Sequence, residues 1–476
     1  MTHMTKSTRA MLLGTALLLG ACQDYDILNT NAPTVETLTG TPSRAVLARA
    51  ATGIFSQANN DLGGIIQQWG IYGREGYNLL GNDPRETGEE IRGPQDPQGR
   101  AGGVWALSYQ AVRTINAYLA ALPNGTGITE AEVSAAAGFA KTIKAYHLYK
   151  VAIRSGALGM PLDVDRPITE DPAPFVSFTD AMTAVSALLD EANTDLLAGG
   201  GAFPFTVAPG FAGFETPANF AKFNRGLAAK VLVMRATFNA CATCWTQALT
   251  ALNASFLTTV ALPASLPLGV YFQYSTAAGE PTNPIAENNT ITRYWVHPSI
   301  VTGAQVRANG EKDLRLTTKT VIGSAPRSLN DLTGTYKPAM YNNPANLAEA
   351  DLNADIPLIK NEELILLRAE ARWNSGDKAG ALADIDLIRV NSGGLAPTTL
   401  TAGSSDDAFV TELLYNRLYS LMWEQGVRWV DARRYGRLAA LPVDRPGDSK
   451  FTNMLVPAGE CDARGLGVPC NPLGGN

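Results

Sequence analysis

Near its C-terminus the chain carries the run Leu414-Tyr-Asn-Arg-Leu-Tyr-Ser-Leu-Met-Trp-Glu-Gln-Gly-Val-Arg-Trp-Val-Asp-Ala-Arg-Arg-Tyr-Gly-Arg437, which holds much of the information about the fold. Charged residues and aromatic rings alternate along it, with Arg417, Glu424, Arg428, Asp431, Arg433 and Arg434 set among Trp423, Trp429 and Tyr435. Charges that packing leaves partly buried must be paired, because an isolated buried charge is strongly destabilising. The run therefore predicts paired charges over aromatic packing, which is a structural role.

Apolar residues at helical spacing extend over most of the remaining chain. They predict helices over 42–59, 104–122, 130–154, 178–197, 217–239, 358–373, 378–390 and 406–424. The segment 257–355 is rich in Pro, Asn, Thr and aromatic residues and has no sustained period, so it predicts a loop-rich insert with short strands. The fold class that we predict is mainly α, with residues 42–476 as one domain.

An internal repeat indicates that some of these helices are paired. A shift of 133 residues aligns Arg235 with Arg368 and Ala248 with Ala381. Both copies predict helix, tight turn and helix, and in the second copy the turn 375–377 supplies a glycine C-cap and an aspartate N-cap. Stacked pairs of this kind bury a continuous core, and the arrangement resembles the tetratricopeptide repeat.

The first residues form a processing signal. The apolar run 11–19 follows two basic residues and, at about 1.5 Å per residue, is too short to cross a hydrocarbon core of about 30 Å. The tetrapeptide Leu-Gly-Ala-Cys that ends at Cys22 resembles the lipobox of bacterial lipoproteins, in which the cysteine receives a diacylglycerol. We therefore expect residues 1–21 to be a lipoprotein signal peptide, Cys22 to be the lipid anchor and 22–41 to be a polar tether. The alternative is an ordinary secretory signal with an unrelated cysteine.

The composition bounds the class of partner. Cleavage before Cys22 leaves 455 residues and changes the formal net charge from −6 to −8, because two basic residues are removed. An acidic mature chain argues against a nucleic-acid partner, since phosphate binding needs a basic face. A composition of 45% hydrophobic and 17% charged residues is typical of a globular protein.

Four cysteines follow Cys22, and in an exported chain two close pairs predict two disulfides, Cys241 with Cys244 and Cys461 with Cys470. The first pair also has the spacing of a redox motif. The repeat, however, places it at a turn between two helices and not after a strand. A structural disulfide is therefore favoured over a redox role, metal binding or free thiols.

Motifs for catalysis are scarce. The mature chain has only two histidines, His147 and His297, and it has no nucleophile elbow, P-loop or dinucleotide fingerprint. The segment 351–362 matches a calcium loop in part, but Ile356 stands where the turn needs glycine. Paired carboxylates need no fixed spacing, so a surface glycosidase stays open as an outlying alternative. We expect a binding protein with no cofactor and no metal.

Two stretches are similar to the SusD/RagB family. One is Asp355-Ile-Pro-Leu-Ile-Lys-Asn-Glu-Glu-Leu-Ile-Leu-Leu-Arg-Ala-Glu-Ala-Arg-Trp373 with the helix that follows, and the other is the run that ends at Arg437, with its Glu-x-Gly-x-Arg-Trp and Asp-x-Arg-Arg. Together they define a C-terminal signature over 358–437, and with the lipobox and the helical layout the resemblance covers essentially the whole mature chain. The chain departs from the family at Asn416 and Ser420, where acidic residues are usual, and at Gln425.

This resemblance implies a SusD-like domain over 42–476 and a function. Members of the family are surface lipoproteins that cover a SusC-like TonB-dependent transporter of the outer membrane, capture a nutrient, usually a glycan and sometimes a peptide, and pass it on. Asp24 and Asp26 are similar to the acidic signal that sends such lipoproteins to the cell surface. The leading alternative is a helical-repeat scaffold lipoprotein for envelope assembly. An aromatic-lined cleft in the insert would favour capture, and a smooth, charged superhelical groove would favour the scaffold.

Capture of a glycan needs aromatic faces beside amide or guanidinium groups. Two predicted loops, 69–82 and 271–295, have that composition. From them we predict a ligand site formed by Trp69, Arg74, Tyr77, Asn78, Arg293, Tyr294 and Trp295. The alternative for each aromatic residue is plain packing.

The anchor can be tested directly. Replacing Cys22 by Ser should release the protein from the outer membrane, because one cysteine carries all of the lipid. Membrane fractionation of cells that lack the partner transporter checks this expectation, with the unaltered protein as control. A variant that stayed in the membrane fraction would contradict it.

Overall fold

A computed structural model describes residues 38–59, 62–100, 102–167, 169–288, 290–291 and 293–474. The predicted signal peptide, Cys22 and nearly all of the predicted tether lie outside the described residues. Within the described part of the chain, no helix is both long and apolar enough to cross a membrane.

The chain is mainly helical, which confirms the predicted fold class. The helices of the N-terminal half are α1 (Arg44–Ala58), α2 (Leu62–Tyr72), α3 (Gly102–Ala121), α4 (Glu130–Ser155), α5 (Phe178–Ala198), α6 (Pro217–Phe238) and α7 (Thr243–Asn253). Those that follow are α8 (Pro298–Gly303), α9 (Leu314–Lys319), α10 (Asn361–Asn374), α11 (Lys378–Asn391), α12 (Asp406–Leu421), α13 (Val427–Arg434) and α14 (Ala458–Ala463).

The strands are short and, in the described residues, form antiparallel pairs. They are β1 (Gly76–Asn78), β2 (Met160–Pro161), β3 (Phe175–Val176), β4 (Gly269–Phe272), β5 (Tyr294–Val296), β6 (Thr320–Leu329), β7 (Leu332–Pro338), β8 (Asn342–Asn343), β9 (Asn346–Ala350) and β10 (Ile356–Lys360). The pairs are β1 with β5, β2 with β3, β4 with β10, β6 with β7, and β8 with β9. Six of these ten strands, β4 to β9, lie in the predicted insert.

Two sequence predictions about elements were wrong. The segment 358–360, predicted as the start of a helix, is strand β10, in which all five residues are buried, so that no alternation could reveal it. The segment 62–72, which overlaps a predicted loop, is helix α2. Within this helix Gly63 allows close packing, because a Cβ there would lie 2.8 Å from Pro284.

Local capping explains where the helices begin. Thr129 accepts a hydrogen bond from the Glu132 amide, and the Glu132 carboxylate accepts one from the Thr129 amide, so a complete capping box opens α4. Asp377 caps α11 in the same way through the Gly380 amide, as the sequence predicted.

The predicted helix pairs are present. Helix α6 packs against α7, and α10 packs against α11. Helices α10, α11 and α12 enclose their own apolar cluster, in which Trp373 stacks on Phe409 with ring centroids 4.1 Å apart. The Cys241–Cys244 disulfide closes the turn between α6 and α7, and Cys461 is joined to Cys470 in the C-terminal loop.

A buried ion network joins α10, α12 and α13. Asp431 accepts hydrogen bonds from Arg417 (2.7 Å) and Arg434 (2.8 Å), and Arg434 also makes a bidentate pair with Glu370. Burial alone would raise the pKa of Asp431, but the two guanidinium groups hold it below its usual value. Arg417, Asp431, Arg434 and Glu424 of the C-terminal run are therefore paired internally, as its pattern predicted. Arg428 and Arg433 instead donate to the backbone carbonyls of Arg74 and Ile153.

Breaking this network should be costly. Glu370→Gln leaves the buried Arg434 with one carboxylate in place of two, so we expect a loss of about 3 kcal/mol in the free energy of unfolding. Asp407→Asn is the control, because Asp407 pairs with Arg437 at the surface and its side chain is 86% exposed. That change should cost below about 1 kcal/mol. Urea unfolding of both variants measures the difference, and equal losses would contradict the assignment.

Candidate ligand-binding site

The two predicted ligand loops do meet in space. Strand β1 of the first loop pairs with β5 of the second, and Tyr77 lies opposite Trp295. The contact is a backbone ladder, so the two stretches are neighbours in space. What they build together depends on where their side chains point.

The predicted aromatic residues of this ladder are buried. Trp69, Tyr77 and Trp295 are 3%, 1% and 1% exposed. Trp69 packs on Trp429 with centroids 5.6 Å apart. Trp295 lies so close to Gly334 that a Cβ there would be 2.4 Å from it. These rings cannot form the exposed stacking platform that we expected.

The other predicted residues have internal partners too. Three of them are buried: Arg74, Asn78 and Tyr294. Arg74 donates a hydrogen bond to the Ser449 carbonyl, Asn78 donates one to Glu86, and Tyr294 donates one to Gln67. Arg293, which is half-buried, pairs with Glu287. The prediction failed because aromatic and amide residues in short strands have the same composition in a core as in a binding loop.

A different residue of the second stretch lies at a cleft. Tyr271, on β4, is half-buried and lines a cavity of about 400 Å³ between the insert and the C-terminal helices. The other lining residues are Leu266, Pro267, Thr318, Lys319, Met340, Tyr341, Asp355, Pro357, Lys360, Glu362, Asn391, Ser392 and Glu424. We call this cavity the insert cleft.

The fold positions the walls of the insert cleft. Strand β4 pairs with β10, which places Tyr271 opposite Pro357, and the Tyr271 hydroxyl donates to the Pro267 carbonyl. Strand β10 runs directly into α10, so Lys360 and Glu362 stand at this junction. The lining therefore combines the apolar surfaces of Tyr271, Pro267, Pro357 and Met340 with polar groups from the helices.

The floor of the insert cleft is charged. Lys360 Nζ lies 2.5 Å from Glu424 Oε1 and 3.3 Å from Glu362 Oε2. Burial alone would raise the pKa of Glu362, but the ammonium groups of Lys360 and Lys319 lower it to about 2. Burial opposes the charge of Lys360, yet Glu424 and Glu362 raise the pKa of Lys360 above its usual value. Lys360 and Glu362 are therefore charged at neutral pH, and charged groups of this kind form strong hydrogen bonds with hydroxyls.

A second aromatic cavity is less suited to stacking. It has a volume of about 370 Å³ and is lined by Trp105 and Tyr109 of α3 together with Arg113 and Arg464. Trp105 stacks on Phe175 with centroids 5.7 Å apart, and the Arg154 guanidinium lies 5.4 Å from its centroid. Because partners already cover its ring, Trp105 does not offer a face to a ligand.

The largest of these spaces is a groove of about 510 Å³ along α5, α6 and α7. Polar residues dominate its lining, including Asp190, Asn193, Arg225, Arg235 and Gln247, and no aromatic residue contributes. Arg225 pairs with Asp190 at 2.7 Å. This is the kind of helical groove that the scaffold alternative requires.

No group of three or more His, Cys, Asp or Glu side chains in the described residues could hold a metal ion.

The insert cleft was not predicted from the sequence, because its charged residues gave no sign of a binding role. Lys360, Glu362 and Glu424 lie in the stretches that carry the family resemblance, but their charges predicted only packing. Nothing in the sequence around Lys319 indicated a binding role.

Comparisons with known proteins bear on the fold. No model of a protein family matches the sequence. A search of curated proteins also found no match. Solved structures do match, 61 chains in all.

Three of them illustrate the likeness. A SusD-like protein from Bacteroides fragilis has a TM-score of 0.65 at 14% identity and covers 88% of this chain and 95% of its own. A surface glycan-binding protein A from Bacteroides fluxus gives 0.63 at 16%, covering 87% and 96%. A laminarin-binding SusD-like protein gives 0.62 at 15%, covering 88% and 97%. The chain has the SusD-like fold.

The core position of Trp295 makes a clear prediction. Trp295→Ala should lower the free energy of unfolding by about 3–5 kcal/mol, because it empties a filled site against the β6–β7 hairpin. Trp245→Ala is the control, since Trp245 on α7 is only half-buried and should cost less. Denaturant unfolding checks both variants. If the Trp295 variant kept its stability but lost ligand binding, the result would support the original prediction that Trp295 stacks on a ligand.

Proposed function

We propose that this protein belongs to the SusD/RagB family and is a surface lipoprotein that captures a glycan in the insert cleft. The fold supports the family, since the chain and the SusD-like structures cover each other almost completely. The motifs over 355–389 and 414–437 support it independently. A binding role also agrees with the absence of catalytic motifs from the sequence.

The observation that carries the proposal is the composition of the insert cleft. Tyr271 supplies a half-exposed aromatic surface, and Asp355, Asn391, Ser392 and Lys319 supply hydrogen-bonding groups around the same cavity. Apolar surface beside fixed polar groups is the usual construction of a sugar site. A volume of about 400 Å³ lies within the common range for small-ligand pockets.

Delivery to a SusC-like TonB-dependent transporter and anchoring through Cys22 are further parts of the proposal. Their support is the lipobox and the family resemblance. The protein would then act at the cell outer membrane, where the lipid holds it beside its transporter. A peptide ligand is the alternative within the same function.

The scaffold function is the second candidate, and the groove along α5, α6 and α7 favours it. The two candidates predict different ligands. Capture places a glycan in the insert cleft, whereas a scaffold would place a polypeptide in the groove. Binding of purified protein to a glycan array therefore distinguishes them.

Tyr271→Ala tests the capture site. The change removes the aromatic face, so affinity for the glycan selected on the array should fall roughly thirtyfold, or about 2 kcal/mol. Tyr336→Ala is the matched control, because Tyr336 is also half-buried but lies on β7, outside the lining of the cleft. Calorimetric titration measures the affinities, and thermal melts check the fold. Equal affinities of the two variants would place the ligand elsewhere.

A further inference from the structure

A second cavity borders the same tyrosine as the insert cleft. It has a volume of about 240 Å³, and Tyr271 contributes to its lining as well as to that of the cleft. The lining also includes three aromatic rings and two exposed hydroxyl groups of α1, namely Phe55, Phe211, Phe272, Thr52 and Ser56. We call this space the side cavity. Apolar surface beside polar groups is the same kind of lining that the insert cleft offers to a sugar.

Strand β4 carries the wall that the two cavities share. Along it Phe272 is buried, Tyr271 is half-buried, and Gln273, directly after the strand, is exposed. The loop 208–211 lies against β4 from the side cavity, where a Cβ on Gly210 would collide with the Tyr271 carbonyl oxygen. Gln273 lines the side cavity, and its side chain is hydrogen-bonded to Asp355, which lines the insert cleft. The two cavities are therefore adjacent.

The position of the Tyr271 ring determines where a glycan can extend. Its hydroxyl donates to the carbonyl of Pro267, which lines the insert cleft, so the ring is held at the boundary of the two cavities. A sugar stacked on this ring has both spaces beside it. An internal sugar has neighbours on two sides, so its chain can occupy both cavities, whereas a terminal sugar leaves one of them empty. Linked sugars fill the second space without a second full cost of association.

The linings also carry an excess of negative charge. Three carboxylates and two ammonium groups line the insert cleft, namely Asp355, Glu362, Glu424, Lys319 and Lys360. Both of these lysines pair with Glu424. Among the described residues that line the side cavity, Glu280 is the one with a charged side chain. An anionic sugar would be repelled by such a surface, so the charge favours a neutral glycan.

Resting on the proposed function, we infer that the insert cleft and the side cavity together bind a neutral glycan chain through its internal sugars, with one sugar stacked on Tyr271. The ligand class is then a neutral polysaccharide or a long oligosaccharide cut from one, and not a mono- or disaccharide. Hydroxyl groups along such a chain match the amides and hydroxyls of both linings, which include Gln273, Asn391 and Ser392.

A length series tests whether both cavities are used. The probes are malto-, cello-, galacto- and manno-oligosaccharides of two, four and six sugars, measured by calorimetric titration. In the series that binds, affinity should rise at least about tenfold from the disaccharide to the hexasaccharide, because the longer chain fills the second cavity. A disaccharide that bound as tightly as the hexasaccharide, or a failure of all four series to bind, would overturn the inference.

Ser56→Trp tests the side cavity by filling it. Ser56 is exposed on α1 and lines the side cavity but not the insert cleft. Affinity for the hexasaccharide should fall at least about tenfold, to near that of the disaccharide, while binding of the disaccharide stays the same. Thr52→Trp, one helical turn away, should do likewise. Thr246→Trp is the matched control, since Thr246 is exposed on α7 and lines neither cavity.

Thermal melts check the fold of all three tryptophan variants. Hexasaccharide binding that was unchanged in both α1 variants would overturn the role of the side cavity.

The charge of the ligand is tested on the hexasaccharide that binds. Oxidising its primary hydroxyls to carboxylates should weaken binding at least about tenfold, because the chain then meets a negative lining. Methyl esters of the same carboxylates remove the charge at nearly the same size and should restore most of the affinity. Equal or tighter binding of the carboxylate form would overturn the assignment to neutral glycans.

The outcomes separate this inference from the proposed function. If Tyr271→Ala weakens binding but longer chains bind no better than a disaccharide, capture in the insert cleft stands and the spanning mode falls. If Tyr271→Ala leaves hexasaccharide binding unchanged, the insert cleft is not the capture site and the proposed function falls as well.

Discussion

Charges buried by the C-terminal run must be neutralised inside the protein, and much of the remaining structure depends on how they are paired. Asp431 and Glu370 hold Arg417 and Arg434, which fixes α10, α12 and α13 relative to one another. Glu75, from the turn that precedes β1, accepts hydrogen bonds from the Trp423 and Arg428 amides. Burial is the largest influence on Glu75 and raises its pKa to about 7 in spite of these two bonds. The run therefore connects the N-terminal part of the chain to the C-terminal helix pair.

The insert cleft contains a second set of ion pairs, which shares no residue with this network. Glu424 belongs to the C-terminal run, and its partners Lys360 and Lys319 come from the β10–α10 junction and from α9. Packing requirements thus bring two lysines and a glutamate together below Tyr271.

The helices could be predicted from sequence because apolar residues recur along them with the helical period of 3.6 residues. The bounds of α4, predicted as 130–154 and observed as Glu130–Ser155, show how far this signal reaches. Strand β10 was missed because both of its faces are buried, so it has no alternation.

The candidate site was harder to predict. Composition selected two stretches that pair through β1 and β5, but it could not tell Trp295, which is buried, from Tyr271, which lines the cleft. Lys319 and Glu424 are 105 residues apart in sequence, and nothing in a single sequence indicates that they meet. The anchor at Cys22 stays a prediction, because it lies outside the described residues.

We propose that the ligand occupies the space between the insert and the C-terminal helices. Hydrogen–deuterium exchange of the full chain, with and without the glycan selected on an array, measures this most directly. Bound glycan should slow exchange in the segments 268–273, 316–320 and 391–393, which border the insert cleft. Protection confined to α5 and α7, with exchange around Tyr271 unchanged, would contradict it.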